Sequence, residues 1–267
     1  MLEQTAACVS RRDVFYLGMA IAATAVVFGG FAPTYYLKSF AAVTQYPGSA
    51  PVSPSLPLLI RLHAMVSTTW LVLLLAQTTL VTAGRTDLHR RLGITGTVVA
   101  PLLAVLGVMT AIRGARDGWN PGGPFPDSLG FLVVTLGDIL LFSSFVAAGF
   151  YYRRQRELHK RLMVLATISI LPPATARLFF AVSVGIGPGL RPSGGPPRTV
   201  ESVLMAAMVA DMLILAAIVY DVRTRGRPHP VYVGGGAIVL AVQLLRGPLS
   251  TTQWWYALAD SLARLAG

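Results

Sequence analysis

The amino-acid sequence predicts an all-α integral membrane bundle of seven transmembrane helices, and three observations carry that prediction. The 267 residues are 54% hydrophobic and only 12% charged, about half the charged fraction usual in soluble domains. The apolar residues gather in seven runs, each near the roughly 20 residues needed to cross a hydrocarbon core of about 30 Å. The basic residues, which give a formal net charge of +11, sit in short turns between those runs. That distribution is a topology signal, and no nucleic-acid partner is expected from it.

The runs lie near 14–32, 58–82, 92–113, 129–151, 162–185, 202–220 and 231–249, within one transmembrane domain spanning 1–267. The third contains Pro101 and the fifth contains Pro172 and Pro173, which neighbouring helices can accommodate as kinks. One set of turns holds Arg11, Arg12, Arg85, Arg90 and Arg91, the basic run from Arg153 to Arg161, and Arg223, Arg225 and Arg227. The alternate set, "TQYPGSAPVSPSLP", "DGWNPGGPFPDS" and "GIGPGLRPSGGPP", is rich in Pro, Gly and Ser and poor in bases. The positive-inside rule then places the N-terminus in the cytoplasm and the C-terminus outside, in a bacterial inner membrane.

The first run, "SRRDVFYLGMAIAATAVVFGGFA", has the twin arginines of a secretion signal. It reads instead as a retained first helix, because polar cleavage positions are missing and six further runs follow. The lone Cys8 permits no intrachain disulfide and is expected on the cytoplasmic side. At the other end, 251–265 is too short and too polar to span. Trp254, Leu258, Leu262 and Leu265 share one helical face, which predicts an amphipathic interfacial helix with Trp254, Trp255 and Tyr256 at headgroup level.

A basic hexamer occurs twice, as "DLHRRL" in "GRTDLHRRLG" and as "ELHKRL" in "YYRRQRELHKRLM". With "DVRTRGRPHPVY" as a degenerate third, each basic turn carries one histidine, His89, His159 or His229, at equal separations. The spacing suggests one helix followed by three tandem hairpins, all running in the same direction and so unlike an inverted transporter repeat. Thr86 or Asp87 is expected to cap the following helix, Asp87 to pair with Arg91, and the arginines to attract anionic lipid headgroups. A histidine in the first turn sits near the positive end of the helix dipole, which favours a neutral, ligating imidazole. His89 and His159, with His229 the least helix-like, either converge on a haem or metal or simply close hairpins. No paired-histidine box, His-Glu-x-x-His, cysteine pair, phosphate loop or nucleophile elbow is present. The metal therefore stays unassigned, as does any enzymatic activity.

Ionisable residues inside a bilayer are expensive and so are candidate sites. His63, Asp138, Arg177 and Asp211 all fall between mid-membrane and the outer interface. They form either a packing lock, with Arg177 paired to Asp138 or Asp211, or a polar cavity. Such a cavity would take a quinone headgroup or a small polar ligand, anchor haem propionates through Arg177, or relay protons to His63. Trp70 and Gln77 read as packing and as a bond to a neighbouring helix.

The segments "LHAMVSTTWLVLLLAQTTLVTAG", "HRRLG" and "GTVVAPLLAVLGVMTA", with "RTRGRPHPVYVGGG", resemble a group of uncharacterised bacterial polytopic membrane proteins over helices two to seven. A fainter similarity is to transmembrane b-type cytochromes, whose helices carry histidines near their ends. That resemblance implies haem b, with His63, His89 and His159 as ligand candidates. The chain departs from it in lacking a second outer histidine to partner His63, which argues against two haems. The function expected is a haem- or metal-binding membrane redox protein. The alternative is a non-redox sensor, small-solute carrier or accessory subunit built on the Asp/Arg/His cluster. Oligomeric state is not legible.

Overall fold

The computed structural model describes residues 11–37, 57–118, 127–184, 186–187, 191–192 and 199–265. Cys8, Lys38, Arg198 and most of the three Pro/Gly-rich loops lie outside them. Helix α1 (Arg11–Phe31) runs into a π-helical turn, Ala32–Tyr36. There follow α2 (Leu58–Thr82), α3 (Thr86–Asp117), α4 (Ser128–Tyr151), α5 (Arg156–Ser169) and α6 (Pro172–Val184). After a two-residue antiparallel pair, Ile186–Gly187 with Arg191–Pro192, come α7 (Ser202–Arg225), α8 (Pro230–Ser250) and α9 (Gln253–Leu265).

Six of these helices, α1 to α4, α7 and α8, are long and apolar enough to cross a membrane. Large apolar side chains point outward along them, among them Met65, Val72, Ile94, Val98, Leu215 and Leu245. In water so much exposed apolar surface would drive association, whereas in lipid it is solvated. The chain is a multi-pass helical membrane protein.

The continuous fifth run read from sequence is instead two helices, α5 and α6, bent by 47° at their junction. The cause is local. Pro172 and Pro173 have no N–H to give to the α5 carbonyls, and a residue before proline is pushed out of the helical region. The chain tightens first, with Ile170 N–H donating to Thr167 O and Leu171 N–H to Ile168 O, and a new helix then starts from the Leu171 carbonyl. Pro101, by contrast, is exposed inside an unbroken α3.

Two glycines in the left-handed region, Gly84 (φ 73°) and Gly226 (φ 76°), help turn the chain between α2 and α3 and between α7 and α8. The α4 helix is the centre of the bundle: half of its apolar window is buried, against 11% for α2. Around it Trp70, Leu103, Phe142, Leu165, Tyr232 and Val239 form the main core. Near the far end, Phe131, Leu132, Val203 and Trp255 form a second.

The tail is helical, as α9, and one side of it rests on the bundle. Its protein-facing stripe is Trp255, Ala259 and Ala263, while Trp254 and Leu265 are exposed. Trp255 Nε1–H donates to Leu129 O at 3.0 Å, and the Tyr256 hydroxyl donates to Asp127. These bonds tie α9 to the start of α4, whose own cap is the Asp127 carboxylate accepting from Gly130 N–H. The expected cap and pair in the first hexamer are replaced: Asp87 lies 4.0 Å from Arg85, and Thr86 and Asp87 are the first helical residues, with no side-chain cap.

Helix α1 packs on α6 through Gly30, where a Cβ would come within 2.5 Å of the Ala174 carbonyl oxygen. A backbone atom cannot swing aside, so Gly30→Ala is expected to destabilise by about 1–3 kcal/mol. Gly18→Ala, with nothing within 4 Å of the added methyl, should be neutral or slightly stabilising. Thermal unfolding of the two variants in detergent makes the comparison, and equal melting temperatures would contradict the α1–α6 packing.

Candidate functional site

Two polar centres occupy opposite ends of the bundle. At the end with the basic turns, His89 is the fourth residue of α3 and His159 the fourth of α5. An acid stands two residues before each, Asp87 and Glu157, where it favours the helix dipole. The two imidazoles therefore leave equivalent helix starts, and they converge: the ring centroids are 6.3 Å apart with planes at 80°. Gly149 O accepts from His159 Nδ1 at 2.8 Å, which fixes the tautomer and leaves Nε2 as the ligating nitrogen. His89 Nδ1 is buried with no hydrogen-bond partner, as is Gln77 Oε1. Gln77 lies beside Gly93, one turn beyond His89.

The other sequence candidates do not join this pair. His229 caps α8, its Nδ1 accepting from Val231 N–H at 3.2 Å. Burial, then the nearby charges of Arg161 and Arg225, holds its imidazole below the usual histidine range, which suits an acceptor nitrogen. His63 is half-buried towards the other end of α2, beside Gly107, with Nδ1 buried and unpartnered. At about 1.5 Å per residue it stands roughly 20 Å along α2 from Gln77. Trp70 is core, edge-on to Phe142 at 5.1 Å.

Next to the histidines lies a knot that sequence reasoning missed. Arg161, read there as a topology residue, has 2% of its side chain exposed and is held by Asp221, 1% exposed. Arg161 donates to both Asp221 oxygens, at 3.0 and 2.5 Å, and to Glu157 at 2.5 Å. Lys160 donates to the other Glu157 oxygen at 2.7 Å and lies over the Tyr16 ring. The counterpart of Arg161 in the first hexamer, Arg91, is exposed. Sequence could have flagged Asp221, an acid at the end of an apolar run facing bases on another hairpin.

The second centre holds Asp138 and Asp211, but its base is not Arg177. Arg177 donates to Pro173 O at 2.7 Å and covers the Phe31 ring at 4.3 Å. It is drawn there because the bend at Pro172 turns α6 towards α1. The guanidinium at Asp138 belongs to Arg246 of α8. Both are buried, and Asp138 Oδ2 and Arg246 Nε have no partner. Gln243, one turn before Arg246, donates through Nε2 to Asp211 at 3.3 Å. The signal for Arg246 was present, since "VQLLRGP" puts a base inside an apolar run.

Among the described residues no group of three or more His, Cys, Asp or Glu side chains is arranged to hold a metal ion. No protein-family model, curated protein or solved structure matches the chain.

Proposed function

We propose that the chain is a membrane redox protein holding haem b between His89 and His159. The observation that carries this reading is the convergence of the two hexamer histidines at 6.3 Å between ring centroids. At that separation the two imidazoles would hold one metal centre between them. The described residues offer two imidazoles here, and a haem would bring its further ligands in its own porphyrin nitrogens. The buried, unpartnered His89 Nδ1 also fits a nitrogen awaiting a ligand.

Haem when bound supplies one-electron transfer, with quinone a candidate exchange partner. The chain's own contribution is to hold the imidazoles. Gly149 O orients His159, and the exposed Arg90, Arg91, Arg153 and Arg154 place positive charge at the same end, suited to propionates. In this reading α5 and α6 together make the seventh span. The basic turns face the cytoplasm of a bacterial inner membrane, where they meet anionic headgroups, and α9 lies along the outer surface. A non-redox carrier or sensor is the second reading, favoured by the buried Asp138–Arg246 pair.

The test is a dithionite-reduced minus oxidised spectrum of protein purified from haem-replete cells. Soret and α bands are expected, and His89→Ala and His159→Ala should each reduce them to background while His63→Ala keeps them. A wild-type protein without these bands, folded and free of bound metal by elemental analysis, ends the redox reading.

A further inference from the structure

The centre at the other end of the bundle carries a separate inference, independent of the histidine pair. Asp138 and Arg246 neutralise one another, which leaves Asp211 as a second carboxylate inside the apolar part of α7. Its hydrogen bond comes from a neutral amide, Gln243 Nε2, at 3.3 Å. The oxygen of that same amide, Gln243 Oε1, is buried with no donor, in a residue only 4% exposed. Gln243 lines a groove of about 400 Å³ between α7 and α8, whose other walls include Glu201, Leu204, Gly247, Pro248 and Thr251. Glu201 stands at the start of α7, and Asp211 lies roughly 15 Å further along the helix axis.

The groove, with an acid at its mouth, leads to Gln243, whose amide oxygen has no donor, and Gln243 in turn touches a carboxylate held by one neutral donor. From this arrangement we infer that Asp211 and Gln243 form an intramembrane cation site, entered between α7 and α8, whose ligand is a proton or a monovalent metal ion. The charged groups that face it are Arg246 on α8 and, behind that, Asp138 on α4. Arg177, on the neighbouring α6, is engaged with Pro173 and Phe31. With Asp211 charged, the amide presents Nε2, as observed. When a proton is taken up, the amide turns, and the new O–H donates to Oε1.

The test is reaction of the full-length protein in liposomes with dicyclohexylcarbodiimide, which adds to protonated carboxyls in apolar surroundings, with the adduct located by fragmentation mass spectrometry. An adduct on Asp211 is expected, rising as pH falls and absent in Asp211→Asn. Gln243→Leu removes both the donor to the charged form and the acceptor for the protonated form, so its labelling half-maximum should move away from the wild-type pH. Protection of Asp211 by added sodium at fixed pH identifies a metal ion as the ligand, and its absence identifies the proton. No adduct on Asp211 at any pH while Glu201 is labelled overturns the site, as does a labelling profile unchanged in folded Gln243→Leu.

Discussion

Arg161→Met should lower the unfolding free energy by about 3–5 kcal/mol, and the double variant Arg161→Met/Asp221→Leu should recover most of that loss. The reason is an asymmetry of buried ion pairs. Removing the guanidinium strands a carboxylate that is 1% exposed and whose hydrogen bonds among the described residues come from Arg161. Replacing both partners by apolar side chains of similar volume removes the problem along with the attraction. Arg91→Met, at the matching position of the first hexamer, is exposed and should change stability by no more than about 0.5 kcal/mol. Chemical denaturation in detergent, followed by tryptophan fluorescence, measures all three. Equal losses for Arg161 and Arg91 would show that the knot is not buried in the membrane-embedded protein.

Asp138 should couple energetically to Arg246 and not to Arg177. Arg246→Met is expected to cost about 3–5 kcal/mol by leaving Asp138 buried and unpaired, with Asp138→Leu restoring much of it. A double-mutant cycle on Asp138 and Arg246 should give an interaction energy of about 3 kcal/mol or more, at or above the top of the range usual for residues in contact, and the cycle on Asp138 and Arg177 a value near zero. The second cycle matters because an apolar run read without its helix rotation makes Arg177 as good a partner as Arg246. A large Asp138–Arg177 coupling would replace the structural assignment with the sequence-based one.

These two pairs mark what the sequence made legible and what it did not. Span positions follow from hydropathy, which depends on composition along the chain and needs no contacts, so helices such as α2 and α4 lie close to where their apolar runs do. The histidines were legible as candidates because a repeated motif at equal spacing is a one-dimensional signal. Which of them meet was not. His89 and His159 share a position within their helices, whereas His229 falls four residues earlier relative to α8 and becomes a cap. Arg161 and Arg91 sit in closely similar hexamers and have opposite surroundings, because only one faces Asp221 across the bundle. Arg177 missed its expected partners because a proline pair converts a kink into a break and redirects everything after it.

The contact between Gly30 and Ala174 has a consequence for how the molecule is made. Helix α1 leaves the ribosome before α6, so the surface that closes over Gly30 arrives only after the four intervening helices have been made. Loop closure over that distance is entropically unfavourable until the whole intervening hairpin set is in place. Membrane insertion and bundle assembly are thus separated in time: α1 waits with part of its seam open to lipid, and its docking against α6 reports that the chain behind it has been completed through the bend.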